Sequence, residues 1–318
     1  MTIKYSKKDF DVIIILPVFN EEKNIKYVCI ELIEKLSQGN YNFQILLVDD
    51  GSTDDTLSEI EQLSSSYEEV KYISFSRNFG KEIAIMAGIR EIRDTFDFLG
   101  YMDSDGQHNP EDLIRMLEYG KDGNFDIICG RRHDRRYQKL TSKIASLSFY
   151  HIFSKLAGFD LESGVGDFNI FRANVANALI NCGDTRPFVK GLVSWIGFKC
   201  GYVDIKIRDR NDGLGKFSVF KAFKLGVSAI LSFSSWPIRS WSILGGIFFL
   251  IALTYMVYIL VQTLVNGVKV PGYASTIILL LGFGGVQLLS LGIIGEYIGR
   301  IYDSSKNRPL YIISKRSK

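Results

Sequence analysis

Two long apolar stretches, Ile243–Val265 and Ser275–Ile298, constrain this chain more than any other feature. Both are nearly free of charge. Wound as helices rising 1.5 Å per residue, each is long enough to cross a hydrocarbon core of about 30 Å. Apolar runs beyond about 18 residues are uncommon in water-soluble cores, so the sequence predicts two transmembrane helices over 237–300 in preference to two buried core helices. The connecting stretch Asn266–Ala274 carries one charge, Lys269, whereas Arg300, Lys306, Arg308, Lys315, Arg316 and Lys318 crowd the far end. By the positive-inside rule this is a hairpin with a short external turn, in a multi-pass protein of the plasma membrane with both termini cytoplasmic. Residues 301–318 are then a basic cytoplasmic tail. Glu296, one helical turn before Arg300, is expected to pair with it at the membrane boundary. Ahead of the hairpin, 217–236 puts Lys221, Lys224 and Ser228 on one helical face and Phe220, Phe223, Val227 and Ile230 largely elsewhere. That pattern suits a juxtamembrane helix lying in the interface, or an amphipathic helix packed on a folded domain.

Residues 1–216 read differently. Short β-rich runs at Val12–Val18, Gln44–Asp49, Val70–Ser74, Phe98–Met102 and Asp126–Gly130 alternate with helical patterns. The alternation predicts βαβ units, an α/β domain and a mostly parallel, Rossmann-like sheet. Ser52-Thr53-Asp54-Asp55 reads as a capping box opening a helix, and Asn109-Pro110 as a cap followed by proline at the first helical position. Beyond Arg131 the pattern is less regular, with a helix over Thr141–Ala157 and a glycine-rich loop over Ser163–Asp167. The run Val12–Val18 is too short for a signal peptide and lacks a small-residue cleavage site. Four cysteines far apart, without CxxC spacing, fit a reducing compartment. Lys and Arg total 38 against 35 Asp and Glu, spread along the chain, so nothing calls for a nucleic-acid partner.

Three strand ends carry the chemistry. Leu16–Glu22, Leu47–Ser52 and Tyr101–Gln107 place acidic and turn residues beyond the carboxyl ends of parallel strands, where open α/β sheets bind ligands. Asp103-Ser104-Asp105 taken alone is as readily a polar turn as a site for Mg²⁺ or Mn²⁺. Three acidic edges converging on one rim tilt the balance towards a cation site, because gathering carboxylates without a cation costs several kcal/mol. His108, His133 and His151 have neither metal-ligand nor Ser/His/Asp spacing.

Taken together, Pro17–Glu22, Val48–Asp54, Ser76–Glu82, Asp103–Gln107, Gly166–Phe168 and Gly295–Arg300 resemble the inverting family-2 glycosyltransferases of GT-A fold. Within that family the chain is similar to polyprenyl-phosphate glycosyltransferases such as bactoprenol glucosyltransferases and dolichyl-phosphate mannose synthases. The resemblance implies transfer of a hexose, UDP-glucose being the first candidate donor, from a nucleotide-diphosphate sugar to a polyprenyl phosphate lipid. It implies that Pro17, Glu21 and Asp50 hold base and ribose. Asp103, Ser104 and Asp105 would meet ribose, diphosphate and metal, and Gln107 the metal or diphosphate. Arg132 and Arg135 would neutralise phosphate oxygens, with Arg210 and Lys216 on a flexible acceptor-side loop. Asp167 is the candidate for orienting the lipid phosphate or taking its residual proton. The family also allows a homo-oligomer, up to a tetramer. Two other readings stay open: a processive polysaccharide synthase, against which the missing Gln-x-x-Arg-Trp motif counts, and a membrane scaffold with a degenerate transferase domain.

Overall fold

The computed structural model describes residues 10–92, 95–132, 153–159, 164–183, 187–206, 208, 234, 236–266, 272–306 and 308–317. The chain divides into two units, Met1–Ser218 together with Pro309–Lys318, and Val219–Arg308.

The first unit is an α/β sheet domain. Its elements run β1 (Phe10–Val18), α1 (Ile25–Gln38), β2 (Phe43–Asp49), α2 (Thr56–Ser66), β3 (Val70–Phe75), α3 (Lys81–Glu91), β4 (Phe96–Tyr101), α4 (Pro110–Lys121), β5 (Ile127–Arg132), β6 (Val165–Phe171), α5 (Ala173–Asn181), α6 (Val189–Trp195) and β7 (Cys200–Ile205). After the second unit comes β8 (Ile313–Arg316). The strands form one eight-stranded sheet in the order β7-β5-β6-β4-β1-β2-β3-β8. Pairs β1–β2, β1–β4, β2–β3 and β5–β7 are parallel, while β6 pairs antiparallel with β4 and β5. The βαβ expectation therefore holds for the first four strands.

The reasons lie in side-chain pattern. Residues Val12–Val18 and all seven residues of β2 are buried. Continuous apolar burial of this kind marks a parallel strand covered on both faces. Helix α1 buries Ile25, Val28, Cys29, Leu32 and Leu36, a 3.6-residue stripe facing the sheet. Each such side chain contributes roughly 1.5–3 kcal/mol on burial. Helix α4 starts as the sequence predicts: the Asn109 side chain accepts the Glu111 N–H and Pro110 follows the cap. Helix α2 does not start at a capping box on Ser52. It begins at Thr56, whose N–H is taken by Asp54 Oδ1 at 3.1 Å, because Ser52 Oγ is engaged by the Asn20 N–H across the strand ends.

Two further differences concern the later chain. Asp167 lies within β6 and not on a loop, since the β5–β6 pairing extends down to Val165. The tail expected over 301–318 is folded. Helix continues to Ser305, and β8 then adds antiparallel to the open edge of β3, in register Ile73↔Arg316 and Ser74↔Lys315 with a bulge before Phe75↔Ile313.

The second unit contains α7 (Trp236–Asn266) and α8 (Tyr273–Ser305), of 31 and 33 residues. Phe248 and Phe283 meet edge to face at 5.6 Å between the two helices, and Glu296 pairs with Arg300 at 3.2 Å as expected. Large apolar side chains such as Leu264 and Leu288 are 78% and 71% exposed. Counted over the described residues alone, no helix is long and apolar enough to cross a membrane. Most of the juxtamembrane segment 217–236 lies outside the described residues.

Candidate active site at the strand-end rim

The rim forms where strand order reverses about β1, with β2 on one side and β4 on the other, the place where open α/β sheets leave a crevice beyond their carboxyl ends. Four chain segments meet there. After β1, the Asn20 N–H donates to Ser52 Oγ at 3.0 Å and Asn20 Oδ1 accepts the Thr53 N–H at 2.8 Å, lacing the first two strand ends together. Asn20 takes φ 54 to do so, a left-handed conformation that asparagine tolerates better than most residues. Gly51 is at φ 67, and a Cβ there would sit 2.4 Å from the Arg77 carbonyl carbon, so only glycine lets the third strand's loop close over the second.

Asp49 and Asp50 are tied down inside this lacing. Asp49 accepts from Ser74 Oγ at 2.6 Å and from the Ser52 N–H at 3.0 Å. Asp50, 3% exposed, accepts the Phe79 N–H at 2.6 Å and the Gly80 N–H at 2.9 Å. Burial raises the Asp50 carboxyl above its ordinary value, against those two amides, which draw it down. Glu21 opens α1: its backbone N–H donates to Thr56 Oγ1 and its carboxylate accepts from Asn24 at 2.7 Å. Pro17 is buried within β1, and its carbonyl accepts from Ser104 Oγ at 2.9 Å, which anchors the Asp103–Asp105 turn to the neighbouring strand. In that turn Asp105 Oδ1 accepts the Gln107 N–H at 3.1 Å, and the Gln107 carbonyl accepts from the Arg208 N–H.

The centre of the rim is an ion cluster that sequence reading did not foresee. Lys81, first residue of α3, puts Nζ 2.5 Å from Asp103 Oδ1 and 2.5 Å from Asp167 Oδ2. Burial lowers the Lys81 ammonium, but Asp167 and Asp103 outweigh it and hold the lysine firmly charged. Burial pushes Asp103 up, Lys81 draws it down and Asp167 pushes it up again, leaving it above the ordinary carboxylate range. Asp167 ends below that range: burial raises it, and Lys81, Lys190 and Arg132 together draw it down further. Arg132 lies over Gly166, where a Cβ would meet its Nε at 3.5 Å, so the structure brings Arg132, Asp167, Lys81 and Asp103 together. Beside them Glu82 accepts the Val189 N–H at 2.7 Å, and burial, foremost, with the Asp167 charge raises it to about 7. His108 is 2% exposed, neither ring nitrogen has a hydrogen-bond partner among the described residues, and burial favours the neutral ring, packed 4.9 Å from Phe168. Arg135, Arg210 and Lys216 lie outside the described residues.

Among the described residues, no group of three or more His, Cys, Asp and Glu side chains stands ready to hold a metal unaided. Asp103, Asp105 and Gln107 do offer a set of hard oxygen donors of the kind Mg²⁺ and Mn²⁺ prefer, which suits a cation completed by ligand oxygens. Sequence reading missed Lys81 although Ser76–Glu82 stood out as a motif; a lysine opening a helix directly after Gly80 was the available signal.

A mostly parallel sheet with an acidic turn after its fourth strand, seated at the switch point, fits a glycosyltransferase of GT-A fold. The chain belongs to glycosyl transferase family 2, whose sequence model matches residues 13–186. A second model, described as the GtrB C-terminal hairpin, matches residues 236–301. CsbB of Bacillus subtilis (strain 168), named as a glycosyltransferase, is 38% identical over 302 residues, covering 95% of this chain and 91% of that one. The bactoprenol glucosyl transferase of Shigella phage SfX is 35% identical over 305 residues, covering 95% and 98%. A solved mycobacterial protein shares the fold at TM-score 0.50 and 16% identity, over 71% of this chain and 75% of its own.

Proposed function

We propose that this glycosyltransferase moves a hexose, glucose from UDP-glucose in the first instance, onto a polyprenyl phosphate held in the membrane. The observation that carries the reading is the Lys81 ammonium shared by Asp103 and Asp167, with Arg132 alongside. Lys81 and Arg132 put two cations beside the carboxylate pair, donors that can turn to phosphate oxygens, and the Asp167 carboxylate among them stays ionised. A phosphate monoester, with its second pKa near 6, arrives largely as the dianion and needs no strong base. Its oxygen attacks the anomeric carbon in line, the bond from that carbon to the diphosphate breaks, and configuration inverts. Asp50 and Glu21 accept hydrogen bonds from ribose and base, while Arg132 and Lys81 stabilise charge on the phosphates. When bound, Mg²⁺ or Mn²⁺ supplies further charge neutralisation for the leaving diphosphate, and Asp103, Asp105 and Gln107 would hold it.

The membrane part of the proposal rests on the hairpin match, on the apolar sequences of α7 and α8, and on chain connectivity. Residues on both sides of the helical pair belong to one unit, so the number of crossings between them is even, as a hairpin requires. The bactoprenol glucosyl transferase names of relatives point to the same acceptor class.

Membranes containing the protein, given polyprenyl phosphate and a panel of UDP-glucose, UDP-N-acetylglucosamine, UDP-galactose and GDP-mannose, should yield one hexosyl phosphate lipid by mass spectrometry, only with a divalent metal. No glycolipid with any donor, together with no metal-dependent nucleotide binding, would point to the scaffold reading instead.

A further inference from the structure

We propose that the strand made after the helical pair is a positioning element for the nucleotide, acting through Tyr311; the inference rests on reading Asp50 as a nucleotide-binding residue. The loop between β3 and α3, residues 76–80, supplies both amides that fix Asp50. Inside the loop the Arg77 guanidinium donates to the Asn78 carbonyl at 2.9 Å, and from outside it residues 311–317 add a second hold.

The Tyr311 ring stacks on Phe75 at 5.2 Å between centroids and 20° between planes. Phe75 in turn takes Phe79 edge to face at 5.7 Å, and the Arg77 guanidinium lies 4.0 Å above Phe79. Tyr311, Phe75 and Phe79 thus form a continuous chain of rings ending at the amide that meets Asp50. The backbone follows the same line: the Ser76 N–H donates to the Ile312 carbonyl at 3.0 Å, so the first loop residue is pinned by the incoming strand. Tyr311 is itself anchored, its hydroxyl donating to Glu91 Oε1 at 2.9 Å near the far end of α3. Lys315 pairs with Glu61 of α2 at 3.1 Å and Arg316 with Glu91 at 3.6 Å, so β8 is clipped to helices α2 and α3.

A stacked or edge-to-face aromatic pair adds a modest, orientation-dependent attraction beyond its buried area, enough to select one loop position among several but not to hold the domain together. Tyr311 therefore serves binding geometry more than folding. Small misplacements of a binding group are costly to ligand recognition.

The test uses the full-length protein in detergent. Tyr311→Ala should raise the donor KM and the Kd for the free nucleoside diphosphate about tenfold, leave kcat and the acceptor KM within about twofold, and speed amide exchange at Phe79 and Gly80. Tyr311→Phe, which keeps the stack and loses only the bond to Glu91, should behave nearly as the parent. Tyr311→Leu, which keeps apolar bulk without a ring to stack, replaces the alanine variant if that one does not fold. Unchanged donor affinity in the alanine or leucine variant, while Asp50→Asn weakens it, overturns the positioning role. So does a parallel loss of kcat, donor affinity and acceptor affinity, which marks general loosening. Asp50→Asn without effect removes Asp50 from the nucleotide site, and the route from Tyr311 fails with it.

Discussion

The rim holds two pairs of carboxylates in two different ways. Asp49 and Asp50 are satisfied by the protein's own hydroxyl and amide groups, fixed donors that travel with the fold. Asp103 and Asp167 share one flexible ammonium, Lys81. Backbone donors cannot leave, whereas a lysine with four rotatable bonds can give way to another cation or turn to an incoming anion. The first pair is suited to holding the strand ends in fixed register, with Asp50 the member proposed for the nucleotide. The second is suited to the place where charge moves.

Substitutions can break this comparison, and the largest effect belongs to the turn that would carry the cation. Asp105→Asn should lower transfer by roughly 10³-fold with modest change in acceptor KM, measured as glycolipid formed per enzyme. Lys81→Met removes the cation shared by Asp103 and Asp167 and leaves only the more distant Lys190 and Arg132 charges, so kcat/KM should fall about 10²-fold, with Lys81→Arg recovering part of it. A Lys81→Met enzyme of normal activity would mean that the shared ammonium has no part in the reaction. Asp50→Asn sharpens the contrast: it should raise donor KM about tenfold and spare kcat, the signature of binding felt equally in ground and transition states. Asp167→Asn should cost less than about tenfold in kcat if the acceptor is the proposed phosphate, which would arrive already ionised.

The smallest effect concerns Glu82, whose carboxyl is raised to about 7 by burial and by Asp167. Its folded pKa exceeds its unfolded one, so the folded state binds the proton more tightly. Stability from this group is therefore full at low pH and declines from about pH 4, the unfolded value, up to about 7, beyond which the difference stays constant. Glu82→Gln keeps an acceptor for the Val189 N–H and should flatten the fall in thermal midpoint between pH 5 and pH 8, while leaving the rim pairs intact.

How much of this could be read from residues alone follows the physics of each element. Strands β1 and β2 are legible because a parallel strand buried on both faces must be a continuous apolar run, and Val12–Val18 is one. The position of Asp103–Asp105 in the turn after β4 is legible because the apolar run ends at Met102 and polar turn residues follow. Lys81 is not, since its partner Asp167 lies 86 positions away and only the packing of α3 against the sheet brings them together. Strand β8 is not either. Ile313-Ser314-Lys315-Arg316 has one apolar residue in four, and a short charged edge strand looks like a tail until a neighbour supplies its hydrogen bonds. The Ser52 region misleads for a related reason: its hydroxyl has a better partner in Asn20, an interaction between two strand ends that no local pattern reveals.

The return of β8 to the sheet also sets an order of events at birth. Tyr72 takes its partner from Ser317, made 245 residues later. At about 5–20 residues per second, β3 would stand as a bare edge for roughly 12–50 seconds while the rest of the chain is made. Bare edges invite pairing with any passing strand. A nascent chain of this design needs its exposed edge shielded in the interval, so slowed synthesis beyond β3 should show itself first as aggregation through that edge.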